Sequence, residues 1–226
     1  MCGIVGIVAR RNTAVDMGSF HRLMEEAKIR GLHAHGVAYL QNGKVNIYKS
    51  AGPYRPAPSQ NDISTSAIIG HCRYSTSDLQ YNQPIGDAAA AIVHNGIITQ
   101  EDPVVWKQRF GVECEGRNDS EIILQTVKAG RSPFDAGGSQ AAAILTAESV
   151  MFWRNEYRPL YYAALQNSVV FASTADILRR ALCVEVVSEC SPRAIMKYTF
   201  QTDELRVANR HILSTTTIAD MQHAHV

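Results

Sequence analysis

Apolar and polar positions in the first half of the chain follow two periods. Short runs rich in apolar residues predict buried β-strands, whereas residues 14–30 repeat apolar side chains at the spacing of a helix that stops at Gly31. The stretch Gln41-Asn42-Gly43 separates two of the strands and predicts a tight hairpin. The predicted strands of this half are residues 2–9, 36–40, 44–49, 66–73 and 88–94.

The second half of the chain is richer in closely spaced strands. Residues 103–110 predict a short helix, and Asn118 with Glu121 forms a capping-box pattern for a helix that runs to about Lys128. A further helix is predicted at residues 175–182. The predicted strands of this half are residues 140–147, 149–154, 160–165, 168–173, 194–200 and 204–209.

This order of elements predicts an α+β fold. Many short strands joined by turns, with helices near the start and the middle, indicate two antiparallel sheets stacked between helical layers. The sequence contains no internal repeat, low-complexity tract or interdomain linker. We therefore expect residues 1–226 to form a single domain, in which residues 219–226 are a loose polar tail.

The composition is that of a globular chain with a substantial core, since 46% of its 226 residues are apolar and 19% are charged. A formal net charge of +1 indicates neither a nucleic-acid nor a membrane partner. No apolar run reaches the roughly 18 residues needed to cross a bilayer. The five cysteines are odd in number and lack CxxC spacing, which is typical of a reducing compartment. We therefore expect a cytoplasmic protein without a signal peptide.

The candidate chemistry starts at Cys2, which directly follows the initiator methionine. Removal of Met1 would leave one residue that carries both a thiol and a free α-amine. The thiolate is a nucleophile, and an amine beside it could take up the thiol proton. The alternative is a buried structural thiol, because Cys is small and apolar. Position 2 by itself leaves both interpretations open.

Three further stretches each allow a functional and a structural interpretation. Arg73 ends a predicted strand, where its guanidinium could bind a carboxylate with two hydrogen bonds or could lie in solvent. The Asn95 amide and the Gly96 N–H could form an oxyanion hole, or Asn-Gly could be a hairpin turn. Asp119 could hold a substrate ammonium, or it could cap a helix.

Taken in order along the chain, these stretches resemble the class II glutamine amidotransferases. The glutaminase domains of that family are N-terminal-nucleophile hydrolases, and the resemblance covers about residues 2–182. The stretches that carry it are MCGIVGI, GHCRYST, Asn82-Gln83-Pro84, IVHNGII, NDSE, Arg158-Pro159-Leu160-Tyr161-Tyr162 and Phe171-Ala172-Ser173. An ordered set of this kind is specific, and it favours the functional interpretation of each residue.

The resemblance implies both a fold and a reaction. The fold is a four-layer αββα sandwich, and the reaction is hydrolysis of the L-glutamine side-chain amide to glutamate and ammonia. Cys2 resembles the catalytic nucleophile, and its own α-amine resembles the general base. Asn95 and the Gly96 N–H resemble the oxyanion hole. The family's mechanism needs no cofactor and no metal.

The resemblance also assigns the groups that hold the amino-acid end of glutamine. Arg73 resembles the clamp on the α-carboxylate, helped by the backbone around Ser75 and Thr76. Asp119 and the Gly96 carbonyl resemble the acceptors for the α-ammonium. These residues would select free glutamine over amides that lack both charged groups.

Position 33 departs from the family's pattern. The usual RGxDxxG is present as Arg30-Gly31-Leu32-His33-Ala34-His35-Gly36, so that His33 stands where an Asp is expected. The role of that Asp must then be filled differently, which puts catalytic efficiency in question. His33 and His35 also form a potential metal pair, but two histidines make an incomplete site.

The resemblance finally suggests a partner. In many relatives this domain precedes one that uses the ammonia, whereas too few residues follow position 182 here for an acceptor domain. We therefore expect a separate ammonia-accepting synthase or ligase subunit. Two alternatives remain open. The chain could be an N-terminal-Cys hydrolase of another γ-glutamyl or acyl amide, or a non-catalytic regulatory or binding protein on the same scaffold.

Overall fold

The computed structural model describes residues 2–11, 13–56, 63–74, 81–209 and 212–217. These residues form two antiparallel sheets and four α-helices. The helices are α1 (Met17–Ala27), α2 (Trp106–Phe110), α3 (Ser120–Lys128) and α4 (Ala175–Leu182). The strands are β1 (Gly3–Ala9), β2 (Ala34–Gln41), β3 (Lys44–Ala51), β4 (Ala67–Arg73), β5 (Ile85–Gly86), β6 (Ala90–Ile97), β7 (Ser139–Thr146), β8 (Ser149–Arg154), β9 (Tyr161–Ala164), β10 (Ser168–Ala172), β11 (Ser188–Glu189), β12 (Ala194–Thr199), β13 (Glu204–Asn209) and β14 (Ile212–Thr217).

Each sheet contains seven strands. The first sheet has the order β11-β9-β10-β1-β4-β2-β3, and the second has the order β14-β13-β12-β8-β7-β6-β5. The Ile- and Val-rich strand β1 lies at the centre of the first sheet, fully buried between β10 and β4. Because β1 and β4 are antiparallel, the start of β1 lies beside the end of β4, where Gly3 pairs with Cys72.

Three apolar clusters separate four layers. One cluster fills the space between the two sheets and includes Ile4, Ile69, Val93 and Phe152. A second packs α1 and α4 onto the first sheet, and a third packs α2 and α3 onto the second sheet. The arrangement is the predicted αββα sandwich, which confirms the fold class. No helix among the described residues is long and apolar enough to cross a membrane.

The predicted hairpin and the predicted first helix are both present. Asn42 and Gly43 have positive φ angles of 54° and 70°, as a two-residue turn between β2 and β3 requires. Helix α1 begins later than predicted, because the Asp16 carboxylate accepts hydrogen bonds from the N–H groups of Gly18 and Ser19. A 3-10 turn at Lys28–Arg30 continues α1 to the predicted stop.

Two local predictions are wrong in detail. Glu121 does not close a capping box, because its carboxylate accepts hydrogen bonds from the N–H groups of Glu115 and Gly116, both at 2.8 Å. The strand predicted at 88–94 instead spans Ala90–Ile97 and therefore includes the Asn-Gly pair. Strands β5, β11 and β14 were not predicted, and the proposed tail at 219–226 lies outside the described residues.

Candidate active site

A cavity of about 990 Å³ opens where β1 begins, β4 and β6 end, and α3 begins. Its walls include Cys2, Arg73, Asn95, Gly96 and Asp119. The fold thus brings together five of the seven residues to which the sequence analysis gives a role. The other two, Ser75 and Thr76, lie outside the described residues.

Cys2 lies immediately before β1 and is partly exposed in the cavity. Its thiol contacts the Tyr74 carbonyl, with 3.7 Å between Sγ and the oxygen. The Arg30 Nε–H donates a hydrogen bond of 3.1 Å to the Cys2 carbonyl, which fixes the backbone of the residue. Cys72 differs, because it is fully buried and burial raises the pKa of its thiol to about 12. Cys2 therefore does not have the environment of a core thiol.

Gly31 allows the segment after α1 to pass close to the backbone of Arg73 and Tyr74. A Cβ at position 31 would lie 2.3 Å from the Arg73 carbonyl carbon and 2.6 Å from the Tyr74 nitrogen. Only glycine leaves room for the segment after α1 to cross the end of β4. The same close passage aligns the His33 N–H with the Arg73 carbonyl at 3.0 Å.

Arg73 is the last residue of β4, and only 8% of it is exposed. It lies on the wall of the cavity beside Tyr74. Arg73 is therefore not a solvated surface arginine, which was the alternative interpretation. A buried guanidinium that faces a cavity is instead suited to bind a planar anion such as a carboxylate.

Asn95 and Gly96 lie in the paired part of β6, opposite Ala141 and Gln140 of β7. They do not form the hairpin turn that Asn-Gly often indicates. Asn95 is 3% exposed, and its Nδ2 has no hydrogen-bond partner among the residues that the structure describes. Buried amide donors are nearly always paired, so this one is open to a ligand in the cavity.

The N–H and C=O groups of Gly96 point to the same edge of β6 as those of His94, two residues earlier. The N–H and C=O of His94 both bond to the side chain of Gln83, which is a wall residue of the cavity. Backbone groups at i and i+2 of a strand point to the same edge, so those of Gly96 are directed to the cavity edge of β6. The backbone of the facing residue Gln140 instead bonds to Asn155.

Gly96 has no space for a side chain. A Cβ there would lie 1.8 Å from the Ser139 carbonyl oxygen and 2.5 Å from Nε2 of His94. Any substitution would push these groups apart and move the strand end.

Asp119 precedes α3 and does not cap it. Its Oδ2 accepts hydrogen bonds from the N–H groups of Ile98 at 2.6 Å and Thr99 at 3.3 Å. The Asn118 side chain takes the capping position, because its Oδ1 accepts a hydrogen bond of 3.0 Å from the Ser120 N–H. The Asp119 carboxylate is therefore fixed to the end of β6 on the wall of the cavity.

The cavity wall also includes residues to which the sequence analysis gave no role. Gln83, His94 and Arg158 belong to stretches that carry the family resemblance, but nothing in their spacing indicated that they face one cavity. Trp106 comes from the predicted short helix, and its indole N–H donates to the Glu101 carbonyl at 3.0 Å. Only the folded chain brings these distant segments together.

The two histidines of the departing motif have separate environments. His35 is buried, with Nδ1 3.1 Å from the Gly52 carbonyl oxygen. His33 is exposed, and its ring lies 5.0 Å from that of Tyr74. Within the described part of the chain, no group of three His, Cys, Asp or Glu side chains could hold a metal ion.

Comparisons with known proteins give the same family as the sequence motifs. Residues 71–180 match a family model described as a glutamine amidotransferase domain. A glutamine–fructose-6-phosphate aminotransferase of Streptococcus pyogenes is 31% identical over 136 residues, which are 56% of this chain and 22% of that protein. The chain thus spans less than a quarter of the length of this curated relative.

Solved structures share the fold. The glutamine phosphoribosylpyrophosphate amidotransferase of B. subtilis superposes with a TM-score of 0.74 at 17% identity, over 95% of this chain and 50% of that one. A glutamine aminotransferase class-II domain protein from Silicibacter pomeroyi has a TM-score of 0.55 at 13% identity, over 88% and 96%. The sequence matches show that residues 71–180 are similar to a glutamine amidotransferase domain, and the solved structures show the shared fold.

Proposed function

We propose that the cavity binds L-glutamine and hydrolyses its side-chain amide to glutamate and ammonia. The observation that carries the proposal is the buried Asn95 Nδ2, which has no partner among the described residues and lies on the wall of the cavity that holds Cys2. An unpaired donor is suited to an oxyanion that forms only during the reaction. The similarity of residues 71–180 to a glutamine amidotransferase domain supports the same reaction.

The covalent step begins at Cys2, after removal of Met1 has freed its α-amine. The amine takes the thiol proton, and the thiolate attacks the carboxamide carbon of glutamine. An α-amine has an unperturbed pKa of about 7.7–8.0, which is close to operating pH and suits a group that accepts and returns a proton. The ammonium then protonates the leaving nitrogen, and ammonia departs from a γ-glutamyl thioester. Water, deprotonated by the amine, attacks the thioester and releases glutamate and the thiolate.

The negative charge in both steps develops on the former amide oxygen. Two donors are available for it, the Asn95 Nδ2–H and the Gly96 N–H. Both belong to the paired part of β6, where Asn95 is buried and Gly96 is partly buried, so they need little rearrangement when the charge forms. Preorganised donors of this kind stabilise the transition state more than the ground state.

The amino-acid end of glutamine has a charged partner for each of its two groups. The Arg73 guanidinium binds the α-carboxylate, and the Asp119 carboxylate binds the α-ammonium together with the Gly96 carbonyl. Asp119 is oriented for this role, because Ile98 and Thr99 hold one of its oxygens. Ser75 and Thr76 complete the carboxylate site in this proposal.

The ammonia passes to an acceptor on a partner protein. The described residues all belong to the four layers of one sandwich or to their connections, so the acceptor site lies elsewhere. The relatives support transfer as the outcome of the reaction, because the names of two of them describe transfer of the glutamine nitrogen to fructose 6-phosphate and to phosphoribosylpyrophosphate. A cytoplasmic location remains a prediction of the sequence.

The experiment that tests the proposal combines intact mass, N-terminal sequencing and a glutaminase assay on one preparation. We expect protein that begins at Cys2 to release glutamate and ammonia from glutamine. A panel of other γ-glutamyl and acyl amides separates glutamine hydrolysis from the broader N-terminal-Cys hydrolase. Absence of turnover on every amide by correctly processed protein would contradict an enzymatic role and favour the binding protein.

The partner is tested separately. Proteins captured from the native host should include a synthase or ligase, and its addition with its substrate should raise the rate of glutamate release. A rate that no captured protein changes would contradict transfer to a partner while leaving glutamine hydrolysis intact.

A further inference from the structure

Three buried polar side chains lie in the cavity wall or next to it: Gln83, His94 and Ser120. We call them the His94 cluster. Each is more than nine-tenths buried, and they come from three distant segments of the chain. The mechanism proposed above gives none of them a role.

The Gln83 side chain continues a β-ladder after its strand has ended. Ile85 of β5 pairs with Ile92 of β6, so position 83 lies opposite His94 in the same register. There, Oε1 of Gln83 accepts a hydrogen bond of 2.6 Å from the His94 N–H, and Nε2 donates one of 3.0 Å to the His94 carbonyl. One side chain thus replaces a backbone partner at the end of β6.

The remaining contacts determine where the protons lie. Nε2 of His94 is 3.0 Å from the Ser139 carbonyl oxygen, which can only accept, so Nε2 carries the hydrogen. Nδ1 must then accept from the Ser120 hydroxyl at 3.0 Å, and that hydroxyl accepts from Nε2 of Gln83 at 3.1 Å. Every donor in this set has one acceptor. The arrangement requires a neutral imidazole, and burial lowers the pKa of His94, although Asp119 opposes the shift.

The His94 cluster contacts both halves of the proposed site. On one side, His94 precedes Asn95 in β6, and its ring lies against Gly96, where it leaves no room for a Cβ. On the other side, Ser120 follows Asp119 at the start of α3. A displacement of the ring would therefore move the two oxyanion donors and the ammonium acceptor together.

We infer that Gln83, His94 and Ser120 are positioning residues, which hold the oxyanion donors and the ammonium acceptor in register through one uncharged hydrogen-bonded unit. The inference rests on the glutaminase function proposed above. It predicts that removal of one internal hydrogen bond of the unit impairs both kcat and KM, although none of the three side chains takes part in bond breaking.

The test compares two buried hydroxyls of the same helix. Ser120 and Thr126 are both fully buried in α3, but the Thr126 hydroxyl donates to the Ile122 carbonyl at 2.7 Å, within the helix. Ser120→Ala and Thr126→Ala should lower the melting temperature similarly. Only Ser120→Ala should lower kcat and raise KM for glutamine, with kcat/KM falling about tenfold to about 10²-fold, since a misplacement of 1 Å costs about 10²-fold.

A second pair of variants provides rescue by similar chemistry. His94→Gln keeps an amide that can donate to the Ser139 carbonyl, whereas His94→Phe keeps the ring shape and loses both hydrogen bonds. We expect His94→Gln to retain more kcat/KM than His94→Phe, with both variants folded by circular dichroism. If Ser120→Ala fails to fold, the comparison of His94→Gln with His94→Phe still tests the positioning role.

The outcomes are distinguishable. If the wild-type protein, shown to begin at Cys2, has no glutaminase activity, the proposed function fails and the inference fails with it. If the wild type is active while Ser120→Ala matches Thr126→Ala within about twofold, or His94→Phe matches His94→Gln, the cluster serves folding alone and only the inference is overturned.

Discussion

Two buried asparagines flank strand β7, and their side-chain amides have opposite environments. Asn155 follows β8 on one side, where its Oδ1 accepts from the N–H groups of Gln140 and Tyr157 and its Nδ2 donates to the Gly138 carbonyl at 2.8 Å. Asn95 lies in β6 on the other side, and its Nδ2 has no partner among the described residues. Both residues are almost completely buried.

The difference separates a polar group that the fold bonds internally from one that is open to a ligand. A buried polar group without a partner costs about 1–3 kcal/mol, so an unpaired amide weakens the fold unless a ligand uses it. Gln140, next to Asn155, is also fully bonded, since its side chain contacts the Pro133 and Gly137 carbonyls and the Trp153 indole. Of the two asparagines, the one with the open donor lies on the side of β7 that faces the cavity.

The largest expected effect contrasts the thiols of Cys2 and Cys72. Cys2→Ala should lower kcat by at least about 10³-fold while glutamine still binds, because the nucleophile is lost. Cys72→Ala should retain turnover and lose about 1 kcal/mol of unfolding free energy, because this thiol is a small core residue. Steady-state kinetics and urea unfolding of both variants give the comparison. Turnover by Cys2→Ala would remove the proposed nucleophile.

The asparagines themselves give the next effect. Asn95→Ala should lower kcat by about 10²–10³-fold with little change in KM, because one oxyanion donor is lost, and it should barely change the free energy of unfolding. Asn155→Ala should leave kcat unchanged and lower the free energy of unfolding by about 2 kcal/mol, because the buried Gln140 N–H and two partly buried groups, the Gly138 carbonyl and the Tyr157 N–H, lose their partner. If Asn95→Ala instead lowered the free energy of unfolding and left kcat unchanged, Asn95 would be a structural residue.

A smaller effect is expected in substrate binding. Asp119→Asn can keep an oxygen for the Ile98 and Thr99 N–H groups, but it loses the charge that attracts an ammonium. KM for glutamine should rise about tenfold to about 10²-fold, with a smaller change in kcat. Asp16→Asn, at the cap of α1, is the matched control and should leave KM unchanged. Normal glutamine binding by Asp119→Asn would place the ammonium site elsewhere.

Arg73, the proposed clamp on the α-carboxylate, can be tested in the same way through KM for glutamine. Arg73→Lys keeps the positive charge but loses the planar pair of donors, so KM should rise about tenfold. Arg154→Lys changes a partly buried arginine outside the cavity that pairs with Glu189 at 2.9 Å, and it should leave KM unchanged. Equal KM values for the two variants would argue against Arg73 as the clamp.

The smallest expected effect concerns pH and stability. Burial lowers the pKa of His94, and burial together with the Arg73 charge lowers the pKa of His71 from 6.5 to about 3. The unfolded chain therefore binds more protons below pH 6.5, so the stability is full above that pH and falls as the pH decreases toward 3. Each histidine contributes a slope of up to about 1.4 kcal/mol per pH unit.

Urea unfolding at about pH 7.5 and about pH 5.5 measures this slope. His71→Gln should flatten it by the contribution of one histidine. An unchanged slope in His71→Gln would show that this residue does not titrate between the folded and unfolded states.

Much of the architecture follows from local patterns in the sequence. The Ile- and Val-rich run became β1, Gln41-Asn42-Gly43 became a hairpin, and the helix predicted at 175–182 has those bounds. These features depend on neighbouring residues, because turn geometry and side-chain periodicity act over a few positions. The sequence motifs also resemble those of one family, and residues 71–180 match the model of a glutamine amidotransferase domain.

The tertiary structure decided what local patterns left open. Asn95-Gly96 has the propensity of a turn, and only pairing with residues 140 and 141 of β7 makes it part of a strand. Asp119 has the sequence of a helix cap, but the end of β6 provides donors that draw its carboxylate to the cavity wall. Contacts between segments far apart in the chain settle such choices.

The sequence by itself thus determined which chemical groups this protein has and most of its secondary structure. It did not determine that Cys2 would contact Tyr74, or that Gln83 would complete the ladder beside His94. These contacts join residues 72 and 11 positions apart, and each follows from the register of one antiparallel strand pair, β1 with β4 and β5 with β6. Residue type is local information, whereas the distance between two side chains depends on the packing of the whole chain.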